Sequence, residues 1–320
     1  MNSRMNRRHA AALILASATP WVQGQSDAPV RLIVGYAAGG PVDGGARSFA
    51  PVLSRELGRT VLVENRAGAA GVLGADAVSK AVPDGNTLYF AASPTLTISP
   101  HVQKSMTLDA ARDLTPLSPL LTYANVLVVN KDLPFQNLEQ LVAYARANPN
   151  KLFYGSAGVG ASNHLSGELL AAVTGTKLNH VPYKGNAPAM TDVIGGQLSM
   201  MFDITSTARN FVQAGRVRAL AVTSRERNAS LPNVPTMREA GVAGYEVIGW
   251  YGVYGPPRMA PELTARLNAA VNRALADADL RRLWQEQGYE LWPGKPELLA
   301  AQQARDLEMW RGVTRDIKVE

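Results

Sequence analysis

The residues best placed to do chemistry in this 320-residue chain lie in two glycine-rich loops. The first is Gly35-Tyr36-Ala37-Ala38-Gly39-Gly40-Pro41-Val42-Asp43, directly after an apolar run and directly before a helix-like stretch. The second is Gly155-Ser156-Ala157-Gly158-Val159-Gly160-Ala161-Ser162, in the same strand–loop–helix setting. Small residues let an anion approach the backbone closely. The helix that follows offers unpaired N–H groups and the positive end of its dipole. Two such loops facing each other across a cleft would grip one carboxylate, or the two ends of a dicarboxylate.

Two acids bear on this chemistry, and each has two readings. Asp43 either pairs with Arg47, four residues on in the same helix, or contacts a ligand amine or hydroxyl. Asp203, at the end of an apolar strand, either caps the next helix or takes the ligand role. Both acids facing the ligand would favour an amino acid, and neither would favour a plain carboxylate. Ser162 reads as a helix cap or a ligand hydrogen-bond donor. Gly160-Ala161-Ser162-Asn163-His164 is one glycine short of GxSxG, and residues two apart on a helix do not face each other. A hydrolase or isomerase constellation is therefore missing from the pattern.

Other chemistries find even less support. Asn163 stands where GxGxxG needs its third glycine, and no GxxxxGK[ST] occurs. His101, His164 and His180 have no paired-ligand spacing, so no metal is expected. The chain has no cysteine, which removes disulfides, thiolate nucleophiles and iron–sulfur clusters. No cofactor is expected. Gly68, Gly71 and Gly74 read as close packing at a turn and helix start.

These loops need rigid elements to hold them. Val30–Tyr36, Thr60–Glu64 and Thr87–Ala92 read as strands with helices between them, a βαβαβ pattern that argues for a parallel sheet. A second series runs from strand 125–130 through helix Leu138–Ala147, strand Lys151–Tyr154, helix Ser162–Val173, strand Asn179–Tyr183, helix Pro188–Gly195, strand Leu198–Ile204, helix Thr207–Ala214 and strand Arg218–Thr223. Strand-like Tyr245–Gly255 and helices starting at Pro261 and near Pro296 close the chain. Two α/β series without a flexible linker predict two lobes sharing crossing strands near 125–129 and 218–223. The ligand would sit in the crevice between them. The expected division is 25–126 with 223–320 in lobe 1, and 127–222 in lobe 2.

The N-terminus reads as a secretory signal peptide. Arg4, Arg7 and Arg8 precede a short apolar run, 10–18, and Val22-Gln23-Gly24 suits cleavage near Gly24. Removing 1–24 takes away three arginines and no acid, lowering the net charge from +6 to about +3. No dense basic run occurs, so nucleic-acid binding is not expected.

In their order along the chain, these pieces resemble the Bug-type receptors, the extracytoplasmic substrate-binding proteins of tripartite tricarboxylate transporters. The likeness rests on Arg31–Val34 followed by Ala38-Gly39-Gly40 and Asp43; Ala46-Arg47; Val63-Glu64-Asn65-Arg66; Pro83-Asp84-Gly85; Ser156-Ala157-Gly158 with Gly160 and His164; Val181-Pro182-Tyr183-Lys184-Gly185; Phe202-Asp203; and Val234-Pro235-Thr236. It covers nearly the whole chain after Pro29. It implies an α/β, two-lobed type II periplasmic-binding-protein fold with a closing hinge. It further implies a ligand carboxylate held by backbone N–H groups and waters at Ala38, Gly39, Gly40 and Asp43, and at Ser156, Ala157, Gly158, Val159 and Ser162. Ser93, Thr95 and Asp203 are the matching side-chain candidates. The chain departs from the family at Gly35 and Ala37, where proline is usual, and at Tyr36, where Phe is usual. The Tyr36 hydroxyl either reaches the ligand or lies on a ring packed under the loop. The implied role is a periplasmic, monomeric receptor that passes an organic acid or acidic amino acid to membrane transporter subunits. The alternative is a sensor that signals to a membrane kinase.

Overall fold

In the computed structural model, residues 28–104 and 106–316 are described. The signal-peptide reading of residues 1–24 lies outside them. The chain opens with β1 (Val30–Val34), α1 (Pro41–Leu57), β2 (Val61–Asn65), a 3-10 turn at Ala69–Gly71, α2 (Val72–Ser79) and β3 (Thr87–Ala92). Three short helices follow, α3 (Ser93–Thr97), α4 (Ser99–Val102) and α5 (Ala110–Asp113), then the long strand β4 (Thr115–Asn130). Next come α6 (Leu138–Ala147), β5 (Phe153–Ser156), α7 (Ser162–Thr174), β6 (Asn179–Pro182), α8 (Asn186–Ile194), β7 (Met200–Ile204), α9 (Thr205–Gln213) and β8 (Val217–Val222). The last elements are β9 (Ile248–Gly255), α10 (Pro261–Leu275), α11 (Ala278–Glu286), β10 (Glu290–Leu291) and α12 (Pro296–Asp316).

The strands form two sheets that share β4. In the first, β1 lies between β2 and β3 and runs parallel to both, with Leu32 opposite Val63 and Leu88. Antiparallel β9 joins β3 to the first half of β4, where Tyr123 faces Gly249. In the second sheet β5 lies parallel to β6 and β7, and the other half of β4 runs antiparallel to β7 and β8. The change of sheet falls between Ala124, paired with Ile248, and Asn125, paired with Ile204. This is the two-lobed α/β architecture with a crossing strand.

Several elements differ from the sequence reading for identifiable reasons. β4 begins ten residues before the expected 125, because Pro116 and Pro119 break the strand pattern. The register shifts beside both prolines, so each missing N–H falls at an irregularity of the ladder. The second crossing is not β8, which pairs with the second half of β4 and, through Val222, with Thr236; it is the segment from Thr223, whose carbonyl accepts from Val247 N, into β9. α11 also escapes the pattern. Its buried face is only Leu280 and Trp284, and Asp277 caps it by accepting from Leu280 N at 2.9 Å. Trp284 is nonetheless fully buried against Phe49.

Each lobe has its own apolar centre. Phe49, Leu53, Phe90, Val271 and Trp284 pack on the first sheet, and Leu127, Leu165, Phe202 and Tyr245 on the second. The first cluster reaches across the gap to include Ala157, Ala161 and Ile204 from the second lobe.

Candidate functional site

Six loops leave the carboxyl ends of the parallel strands, three from each sheet. β1, β2 and β3 lead into Gly35–Gly40, 66–71 and Ser93; β5, β6 and β7 lead into 157–161, 183–185 and Thr205. Every loop opens a helical segment. The residues that start them, Gly40, Gly71, Ala92, Ala161, Gly185 and Ile204, bring no side-chain cap. By contrast α5, α6 and α11 are capped by Asp109, Asn137 and Asp277. Uncapped first turns gathered on one gap leave N–H donors with no protein acceptor, a setting suited to an anion.

The two triplets touch. Ala37 N donates to Lys184 O at 3.2 Å, and Gln103 Nε2 donates to Val159 O at 2.6 Å and to Ala69 O at 3.1 Å. A groove of about 650 Å³ runs along this seam, lined by Ala69, Gln103, Gly158, Val159, Tyr183 and Lys184. The lobes are therefore closed on each other.

In the first loop Asp43 is tied into the protein. Its carboxylate accepts from Gly39 N at 2.9 Å, from Asn65 Nδ2 at 2.8 Å and from Arg47 Nε at 2.9 Å. Burial alone would raise its pKa, but these hydrogen bonds outweigh that and hold it below the usual carboxylate value. Arg47 is half exposed and reaches outward to Asn65, so it brings no cation inside. Gly39 takes φ +79° and Ala38 N has no acceptor among the described residues.

The loop at 66–71 also faces the seam, a position that its sequence signal, glycines read only as close packing, does not disclose. Ala69 and Ala70 both have left-handed backbones, φ +48° and +50°, at a cost of about 1–2 kcal/mol each for residues with a Cβ. The carbonyl of Ala70 accepts from Tyr36 Oη at 2.8 Å and from Thr95 Oγ1 at 2.7 Å. Tyr36 and Thr95 are thus both buried under this loop and hold it in the strained shape. The close-packing reading is correct as far as it goes. A Cβ on Gly35 would lie 2.5 Å from Gly71 Cα, and one on Gly74 2.7 Å from Gly35 Cα. A Cβ on Gly158 would sit 3.1 Å from Ala70 N, so the strained loop faces the second glycine loop.

The second loop spends much of its hydrogen-bonding capacity internally. Ala157 N donates to Asn163 Oδ1, Gly158 N to Ser156 Oγ and Gly160 N to His164 Nδ1. Val159 N and Ser162 N have no acceptor among the described residues. Ser162 is buried at the start of α7, and its hydroxyl neighbours Tyr123 Oη rather than a histidine.

Behind the loops lies a ring of buried hydroxyls. Tyr123 packs at 4.8 Å, tilted by 43°, on Tyr251, which packs at 5.9 Å on Tyr289. Tyr289 Oη pairs with Ser206 Oγ at 2.6 Å, and Ser93 Oγ accepts from Trp250 N at 3.1 Å. Thr205 Oγ1 is fully buried without a hydrogen-bond partner, and Tyr251 Oη is buried with only the neighbouring Tyr289 hydroxyl, out of good hydrogen-bond geometry, beside it. Asp203 is buried beside them but engaged by Asn186 Nδ2, by Ile204 N at 2.8 Å and by Thr207 Oγ1 at 2.8 Å. Burial raises its pKa to about 6 against the pull of those donors. No cluster of three or more His, Asp or Glu that could hold a metal occurs among the described residues.

Comparisons with known proteins agree with this geometry. Residues 46–317 match the family described as tripartite tricarboxylate transporter family receptor. The UPF0065 protein in the tcbD–tcbE intergenic region of a Pseudomonas species is 39% identical over 95% of this chain and 92% of its own. The periplasmic binding protein BugD superposes with a TM-score of 0.88 at 33% identity, over 91% of this chain and 98% of its own. MatC from Rhodopseudomonas palustris, solved with malate, gives 0.86 at 30% identity over 89% and 98%. A second R. palustris protein, solved with adipate, gives 0.87 at 33% identity over 90% and 96%.

Proposed function

The chain belongs to the tripartite tricarboxylate transporter family of receptors, periplasmic solute-binding proteins of type II fold, and from that premise we propose that it captures a plain organic carboxylate and delivers it to membrane subunits. The observation that carries the ligand class is the state of the two buried acids. Asp43 accepts on both oxygens from Gly39, Arg47 and Asn65, and Asp203 accepts from Asn186, Ile204 and Thr207, so Asp43 has no free face for a ligand ammonium group and Asp203 keeps only one side of Oδ2. That favours a plain acid over an amino acid. The malate and adipate bound by two relatives support the same class.

In this reading the carboxylate sits among the uncapped helix starts. Ala38, Gly40, Val159 and Ser162 supply the nearest contacts, with Thr205 as the unpartnered hydroxyl and Tyr251 beside it. Gly39, Asp43, Ser156, Ala157 and Gly158 shape the two loops, while Tyr36, Ser93, Thr95 and Asp203 support them from below. The lobes divide between Ala124 and Asn125, two residues before the expected 126, and near 223, and no covalent chemistry takes place. A ligand that touches both lobes stabilises the closed arrangement by its differential affinity.

The test is thermal unfolding of residues 25–320 against a panel of carboxylic acids, their amides and amino acids. An acid at about 100 times its dissociation constant adds roughly 2.7 kcal/mol. A midpoint shift with an acid, absent with its amide, supports the reading. A response confined to amino acids refutes it.

A further inference from the structure

The second glycine loop is held by residues that no ligand contact accounts for. Gly158 and Gly160 have left-handed backbones, φ +117° and +92°, which glycine permits but does not itself fix. Beneath it lie two imidazoles with ring centres 4.2 Å apart. His164 Nδ1 accepts from Gly160 N at 3.2 Å. His180 Nε2 lies 2.6 Å from Ser156 Oγ, which accepts from Gly158 N at 3.1 Å. Both glycine N–H groups therefore end, directly or through Ser156, on a histidine.

We infer that His164 and His180 are positioning residues, which fix loop 156–161 in the shape that leaves Val159 N and Ser162 N free for a bound carboxylate. This rests on the carboxylate reading for its functional meaning, but the positioning itself is a property of the empty protein. The His164 bond requires Nδ1 to carry no proton, because it faces an N–H donor. Protonation would turn an acceptor into a second donor and set two cations 4.2 Å apart. The other titratable groups packed here are Tyr154 from β5, Glu168 from α7 and Tyr245 from the segment before β9. Tyr154 Oη donates to Glu168 Oε1, and Tyr245 Oη to Ser166 O. Glu168 is thus engaged by a tyrosine, and no acid hydrogen-bonds either imidazole among the described residues. Burial, with His180 adding to it at His164, keeps both rings neutral at ordinary pH.

The test compares the parent with His164→Asn, whose Oδ1 can stand in for Nδ1, and His164→Leu, which cannot accept. Amide hydrogen exchange at Gly160 is read without ligand. It is expected to quicken at least about tenfold in His164→Leu and to stay within about threefold of the parent in His164→Asn. Titration with malate and with adipate follows. Whichever acid binds the parent should bind His164→Leu about tenfold more weakly and His164→Asn almost normally. Toward pH 3, where His164 takes up its proton in the fold, the parent's affinity should fall more steeply than that of His164→Asn. Unchanged Gly160 exchange in His164→Leu overturns the inference, whatever binds. Equal loss in both variants also overturns it, because size rather than the acceptor would then matter. If neither acid binds the parent, the carboxylate reading loses support while the exchange measurement still decides the positioning.

Discussion

Replacing Asp43 separates an organising carboxylate from a ligand contact. In Asp43→Ala, Gly39 N and Asn65 Nδ2 lose acceptors that now lie at 2.9 and 2.8 Å. Hydrogen bonds to a charged group contribute about 1.5–3 kcal/mol each, and the lower end applies because Gly39 is exposed. A first-turn acid adds about 0.5 kcal/mol through the helix dipole. The Arg47 pair, with Arg47 half exposed, adds under about 1 kcal/mol. The expected loss is about 4 kcal/mol, or a midpoint lower by about 6–10 °C. Urea unfolding measures the first and calorimetry the second. Affinity for every acid in the panel should fall together, because loop 35–40 loses its internal brace. If Asp43→Ala stays within about 0.5 kcal/mol of the parent, or loses amino acids while keeping plain acids, the organising role is wrong.

Two further outcomes are expected. Stability should fall with acidification, since His164 and His180 titrate at about 3 and about 4 in the fold against about 6.5 unfolded. The unfolded chain then takes up protons first, and each histidine costs about 2 kcal/mol by pH 5. Asp203 works the other way, because its folded pKa of about 6 exceeds the unfolded value and returns about 1 kcal/mol. Urea unfolding at pH 7 and pH 5 should therefore differ by about 3 kcal/mol, and a flat profile would contradict the buried neutral pair. Gln103→Ala removes the donor that spans Ala69 O and Val159 O. Stopped-flow release of a bound acid should speed up about tenfold with association little changed; slower association instead would place Gln103 on the path into the cleft.

Much of the fold was legible along the chain because its signals are local. Leu138–Ala147 and Thr87–Ala92 lie where periodicity and flanking turn residues place them. β4 and α11 were less legible. Proline reads as a breaker until a neighbouring strand shows the shift of register that absorbs it, and a helix with two buried residues has almost no stripe.

The site divides in the same way. Sequence alone determined that two loops of small residues open helices, that no arginine lies within either, and that no cysteine or motif offers covalent or metal chemistry. Those are properties of residue type and short spacing. Tertiary structure decided that Asp43 and Asp203 spend most of their lone pairs on the protein, and that Ala69 and Ala70 form a third facing loop held by Tyr36 and Thr95. It also brought His180 to within 4.2 Å of His164, and Tyr251 and Tyr289 up to Tyr123. The reason is physical: a donor or acceptor is available to a ligand only after the fold has satisfied its own polar groups, and those partners come from strands and loops far apart in the chain.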